Sequence, residues 1–221
     1  PGGGAFMQLD DFQVPPDLSV STYYFSVIPR KLTDRSSDLG NLVWADTDGS
    51  PVEPNQVQPP PTAIVNSGGP GHLHIYWRVS EFIPSDRCAR MTILAALAYQ
   101  GDPEVCEPRR VMRIPGSLNS KRKEKVLASV VALDKELEYP PDQLEELLVA
   151  AVFRPHFEGN RHELALHISA TLARAGWDLK RSLSMMNKLY DMRPGNDRQG
   201  KLEAVRTTYE RREAGEFVVS R

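Results

Sequence analysis

What this chain has little of narrows what it can be. Cysteine is nearly absent: Cys88 and Cys106 are the only two, and their spacing makes neither a disulfide framework nor a zinc knuckle. A reducing, cytoplasmic setting is therefore expected. No apolar run approaches the length of a bilayer span. Residues 1–6 lack a basic start to a secretory signal, and Pro1-Gly2-Gly3-Gly4 is expected to be an added leader before Met7. A strong charge of one sign is missing too, since 27 basic against 29 acidic residues leave −2. That excludes a protein that grips polyanions by bulk electrostatics and leaves only a local basic patch for the purpose. What remains is ordinary: 40% hydrophobic and 25% charged residues over 221 positions, enough for one large or two small domains with a real core.

The pattern divides the chain into two halves. Up to about residue 115 it is rich in strand signals. Tyr23–Ile28 is aromatic and β-branched and stops at Pro29, and Leu42–Ala45 suits a buried central strand. Ala63–Val65 and Leu73–Trp77 flank a glycine turn as a hairpin, and Arg110–Ile114 reads as a returning strand. Between them, Ser85 can cap a helix to Tyr99, and Asp48–Pro61 with its five prolines is a loop. After Lys121 the spacing turns helical: Val126–Leu137, Asp142–Val152, Asn160–Ala175, Leu179–Met192 and Gln199–Glu213. The expected fold class is α+β, with a sheet domain over 1–121 and an all-helical bundle over 122–221, divided at the polar, basic stretch Asn119–Lys125.

Short motifs in fixed order carry the chemistry. Trp44-Ala45-Asp46-Thr47-Asp48 is an apolar strand ending in alternate acids. Two residues apart on a predicted strand, Asp46 and Asp48 are expected to share a face and can share hard cations, for which Mg²⁺ takes one or two carboxylates plus substrate phosphates. The plain alternative is a strand-ending turn, for which Asp-Thr-Asp-Gly-Ser is also suited. Ser67-Gly68-Gly69-Pro70-Gly71 can present backbone N–H groups to an anion. His72 and His74 follow it, alternating with Leu73 and Ile75, so that both imidazoles are expected on one face of a strand. A His-x-His zinc site is the competing use, but no cysteine completes it. Asp102 follows the helix in Gly-Asp-Pro. Arg109, Arg110, Arg113, Lys121, Arg122, Lys123 and Lys125 then crowd one segment, either as a solvated linker or as a phosphate-binding patch.

In this order the motifs resemble the archaeo-eukaryotic primase superfamily, specifically the primase-polymerases of phages, plasmids and other mobile elements. The matching residues are Asp46 and Asp48, Ser67-Gly68-Gly69 with His74-Ile75-Tyr76-Trp77, Asp102, and the tail Arg113, Pro115, Gly116, Asn119 and Lys121. Pro70-Gly71-His72 lengthens the glycine turn relative to that pattern, and Ile75-Tyr76-Trp77 sets the register that selects His74 as the nucleotide-facing histidine. Gly159-Asn160-Arg161-His162 and the helix after it resemble the helical module that follows such catalytic domains.

The resemblance implies an RRM-like catalytic sheet domain and a DNA primase-polymerase, a nucleotidyltransferase acting on a single-stranded DNA template with nucleoside triphosphates. It implies Asp46, Asp48 and Asp102 as ligands of two Mg²⁺ or Mn²⁺ ions, with His74 in the catalytic set. Ser67, Gly68, Gly69 and His74 would hold the triphosphate. Arg113 and Lys121 would contact the same phosphates or the template backbone, and Arg30 (with Lys31) would approach the nucleotide. Arg109, Arg110, Arg122, Lys123, Arg161 and His162 are the candidates for DNA. A helicase, as domain or partner, often accompanies such proteins. Two other classes use the same residues: an origin-binding module without synthesis, and a metal-dependent nuclease. The acid triplet argues against the first and the glycine turn with His74 against the second.

Overall fold

The computed structural model describes residues 17, 19–22, 24–28, 39–49, 51–120, 125–157, 161–194 and 197–216. The chain forms two compact units, Pro1–Pro141 and Asp142–Arg221.

In the first unit the principal sheet has the strand order β2-β4-β3-β8. These strands are β2 (Leu39–Asp46), β4 (Leu73–Pro84), β3 (Ala63–Asn66) and β8 (Ser129–Leu133), and every pairing is antiparallel. β4 is central because Leu73–Trp77 is a continuous apolar-aromatic run whose residues are all buried. Helix α1 (Ser85–Tyr99) packs on this sheet, stacking Tyr99 on Trp77 with ring centroids 5.5 Å apart. The two fully buried indoles are satisfied by loop carbonyls: Trp77 Nε1 donates to Pro59 O at 3.0 Å and Trp44 Nε1 to Val105 O at 2.9 Å. Two small ribbons complete the unit among the described residues. One pairs β1 (Tyr24–Ser26) with β5 (Val111–Arg113), the other β6 (Leu118–Asn119) with β7 (Val126–Leu127).

The segment expected as a helix over Val126–Leu137 is strand instead. β8 pairs with β3 through Ile64↔Ala132 and Val65↔Val130. Its valines at 126, 130 and 131 fit a helical spacing, but β-branched side chains suit a sheet edge, and β3 offered unpaired backbone groups for them. The sheet unit therefore extends past the 121/122 division to Pro141. Ser85 does not cap α1 either, because Pro84 holds the cap position without a side-chain bond.

The second unit is helical throughout its described residues: α2 (Pro141–Phe153), α3 (Arg161–Arg174), α4 (Leu179–Met192) and α5 (Arg198–Glu213). Asp178 and Asp197 cap α4 and α5 through Arg181 N at 2.7 Å and Gly200 N at 3.1 Å. Leu144, Leu148, Phe157, Ile168, Met185 and Leu189 are buried in its core. Buried Glu146 of α2 accepts from Lys188 Nζ at 2.5 Å and Ser184 Oγ at 2.7 Å. No helix among the described residues is long and apolar enough to cross a membrane.

Candidate active site

Asp46, His74 and Asp102 gather at one end of the sheet, and local geometry explains how each arrives. Asp46 is the last residue of β2 and pairs with His74 of β4, so the two project from the same face. His74 Nε2 lies 3.7 Å from Asp46 Oδ2, and its Nδ1 stands 3.3 Å from the Tyr76 hydroxyl. Asp102 is delivered by the end of α1. Gln100 closes the helix in the left-handed conformation, Gly101 N bonds back to Ala96 O, and Asp102 N then donates to Asp46 O at 2.8 Å. A Cβ on Gly101 would stand 2.8 Å from Asp46 O, so only glycine lets the two acid-bearing segments close.

Asp48 is not on the strand. β2 stops at Asp46, Thr47 is buried, and Asp48 lies in a turn at φ +37°. Its nearness to Asp46 comes from that turn, with Asp48 N 3.3 Å from Asp46 Oδ1, and not from strand alternation. His72 likewise precedes β4, and its Nδ1 is 3.0 Å from Asp48 Oδ1. The two histidines thus serve different acids, and His74 lies on no solvated face: it is buried.

The glycine turn joins β3 to β4 across Asn66↔Leu73. Its backbone is tied down more completely than glycine content suggests. The amides of Gly68 and Gly69, expected to face a phosphate, both donate to Asn66 Oδ1 at 2.9 Å. Ser67 O accepts from Arg113 Nη1 and from Asn119 Nδ2, each at 2.9 Å. Two members of the Arg-x-Pro-Gly-Ser-x-Asn tail therefore grip the turn itself. Arg113 also stacks over the Tyr24 ring at 5.5 Å. Asn66 and Thr47 are the contributors that motif reading missed. Asn119 belongs to the tail motif, but its partner 52 residues away is visible only in the fold.

The electrostatics are those of an anion and cation site. Burial raises the Asp46 carboxyl above its ordinary range, and the charges of Asp48 and Asp102 add to this, against the Asp48 amide and Arg110. Burial pushes His74 down to about 3, helped by the charges of Arg113, Arg110 and His72, so its imidazole is neutral at pH 7. The Nε atoms of Arg110 and Arg113 are buried with no hydrogen-bond partner. Arg110 reaches both Asp46 and His74 electrostatically, whereas Arg109 beside it is exposed.

Among the described residues no group of three His, Cys, Asp or Glu side chains stands close enough to hold a metal ion as they are arranged here. The donor chemistry of Asp46, Asp48 and Asp102 nevertheless suits a hard cation. All are oxygen ligands, and the repulsion from Asp48 and Asp102 that adds to burial in raising the Asp46 carboxyl is what a divalent ion relieves. Arg30, Lys31, Lys121, Arg122 and Lys123 lie outside the described residues. Arg161 opens α3 and His162 is exposed beside it, both in the helical unit.

The first unit is thus an antiparallel α+β fold with acids, a buried histidine and a glycine turn at one sheet end. Residues 45–140 match the RepB DNA-primase N-terminal domain family. Three solved structures are similar. The AEP domain of the cyanophage S-2L primase-polymerase aligns at 20% identity over 57% of this chain and 69% of its own, with a TM-score of 0.48. The primase RepB′ aligns at 12% over 77% and 70%, with a TM-score of 0.41. The catalytic domain of primase RepB′ in complex with initiator DNA aligns at 14% over 54% and 64%, also at 0.41. No curated protein matches the sequence.

Proposed function

We propose that this chain is a DNA primase that joins nucleotides on a single-stranded DNA template, starting primers and extending them. The observation that carries the reading is the meeting of Asp46, Asp48 and Asp102 with buried His74 and the partnerless Arg110 and Arg113 Nε atoms at one end of one sheet. Carboxylates for cations beside the Arg110 guanidinium for phosphates suit a nucleoside triphosphate better than a plain phosphodiester.

Asp46, Asp48 and Asp102 are the residues that would hold two Mg²⁺ or Mn²⁺ ions. Such ions, when bound, make a 3′-hydroxyl a better nucleophile and offset charge on the departing pyrophosphate. His74, neutral because it is buried, offers one ring N–H to a phosphate oxygen without adding a charge that would compete with the acids. Arg110 moves from the DNA candidates to the triphosphate, since its charge reaches Asp46 and His74. Arg113 and Asn119 hold the Ser67–Gly69 turn in place through the Ser67 carbonyl. The exposed Arg109, with Lys121, Arg122 and Lys123, is left for the template backbone. The helical unit, through Arg161 and His162, is assigned to seating template DNA or the initiating nucleotide. In functional terms the catalytic assignments all fall within 1–121.

The test is nucleotide incorporation on primed and unprimed single-stranded templates. Asp46→Ala and Asp102→Ala should each remove nearly all synthesis on both while circular dichroism stays unchanged. A folded Asp102→Ala protein that extends primers at the normal rate would refute the assignment. Cleavage of template without incorporation would point to a nuclease, and DNA binding with neither activity to an origin-binding module.

A further inference from the structure

We propose that His72 is a positioning residue for Asp48, fixing a carboxylate that would otherwise be loose before a divalent cation arrives. The inference rests on the reading of the acids given above. It starts from the residues that lengthen the glycine turn, Pro70-Gly71-His72, which fold directly onto the acid-bearing turn. Gly71 O accepts from Gly49 N at 3.0 Å and from Thr47 Oγ1 at 2.5 Å. Thr47 Oγ1 in turn accepts from Leu73 N at 3.0 Å. A Cβ on Gly71, whose φ is +72°, would stand 3.2 Å from three backbone atoms of Gly49, so the two turns touch backbone to backbone.

That clasp sets the imidazole of His72 beside Asp48, with Nδ1 3.0 Å from Oδ1. The ring also borders Gly49, where a Cβ would meet Nε2 at 3.6 Å. Asp48 needs such a partner more than the other acids do. Asp46 is held by its strand, with its side chain only 17% exposed, and Asp102 Oδ1 accepts from Glu104 N at 2.8 Å. The Asp48 side chain, by contrast, is 69% exposed and stands on a left-handed turn past the strand's end. An exposed carboxylate must give up rotamer freedom when it ligates a cation, and a fixed N–H donor removes that cost in advance. Outer hydrogen bonds to ligating side chains are worth about 10–100-fold in metal affinity. His72 thus acts on the cation through Asp48, while His74 faces the nucleotide.

The experiment is a Mn²⁺ titration of the full chain without nucleotide or DNA, following the EPR signal of free Mn²⁺. His72→Ala should weaken binding about 10-fold. His72→Asn, whose amide nitrogen reaches the place of Nδ1, should stay within about 3-fold of the unaltered protein. His72→Phe keeps the ring volume without the donor; it should be as weak as His72→Ala and replaces it if that variant does not fold. Asp46→Ala should abolish binding. Normal affinity in His72→Phe, or equal weakness in His72→Asn and His72→Phe, overturns the proposal, the second result because it makes the role one of packing. Normal Mn²⁺ affinity in Asp46→Ala would overturn the metal reading and this inference together. Loss in Asp46→Ala with none in His72→Phe would overturn the inference alone.

Discussion

Replacing Gly68 by alanine tests how firmly the glycine turn is built. Gly68 sits at φ +129°, and a Cβ there would come 2.5 Å from Asn119 Nδ2 and 2.9 Å from Asn119 Cβ. Asn119 cannot simply swing away, because it is buried and donates to Ser67 O at 2.9 Å. Two costs therefore add. Holding a non-glycine residue in that backbone region costs about 1–3 kcal/mol. Losing the Asn119 bond and leaving a buried carbonyl short of a donor costs about 1–3 kcal/mol more. The sum, roughly 2–6 kcal/mol, corresponds to a fall in Tm of roughly 4–24 °C for a chain of this size. Urea unfolding followed through the fluorescence of buried Trp44 and Trp77 reads the loss, and nucleotide affinity should fall with it. Gly176→Ala is the internal control, since its φ is +84° but a Cβ there meets nothing within 4 Å. Only the backbone cost, about 1–3 kcal/mol, then remains. If Gly68→Ala is no more destabilising than Gly176→Ala, the Asn119–turn packing is not what holds the turn.

Gly101→Ala should separate Asp102 from Asp46, because the new Cβ would stand 2.8 Å from the Asp46 carbonyl, which belongs to a strand and cannot give. A displacement of that kind costs about 100-fold in rate, and a variant with full synthesis would sink the argument. In the helical unit, Glu146→Ala removes the carboxylate 2.5 Å from Lys188, leaving it only the Ser184 hydroxyl, and should destabilise by about 3 kcal/mol in thermal or urea unfolding. Replacing both, Glu146→Leu with Lys188→Met, should come within about 1 kcal/mol of the original protein, and an additive loss would refute desolvation as the cause.

Local pattern carried a good part of the fold in the sequence itself. The helices Ser85–Tyr99 and Leu179–Met192 lie where apolar spacing puts them, and the β3–β4 hairpin closes around the glycine turn. Such features depend on neighbours within one or two turns of chain, so a linear reading contains their causes. The order of acids, glycine turn, Asp102 and Arg-x-Pro-Gly tail was likewise legible, because side-chain chemistry is written residue by residue.

What the sequence could not decide depended on partners far along the chain. Ser129–Leu133 fits a helix or a strand by spacing, and only the open edge of β3 makes it a strand. Asp48 leaves the strand because Thr47 is drawn in to bond Gly71 and Leu73, 24 and 26 residues away. Arg113 and Asn119 have the right types to meet a phosphate, yet both hold the carbonyl of Ser67. A donor's identity is fixed by its residue type, but its acceptor is whichever buried oxygen the tertiary fold leaves unsatisfied within reach.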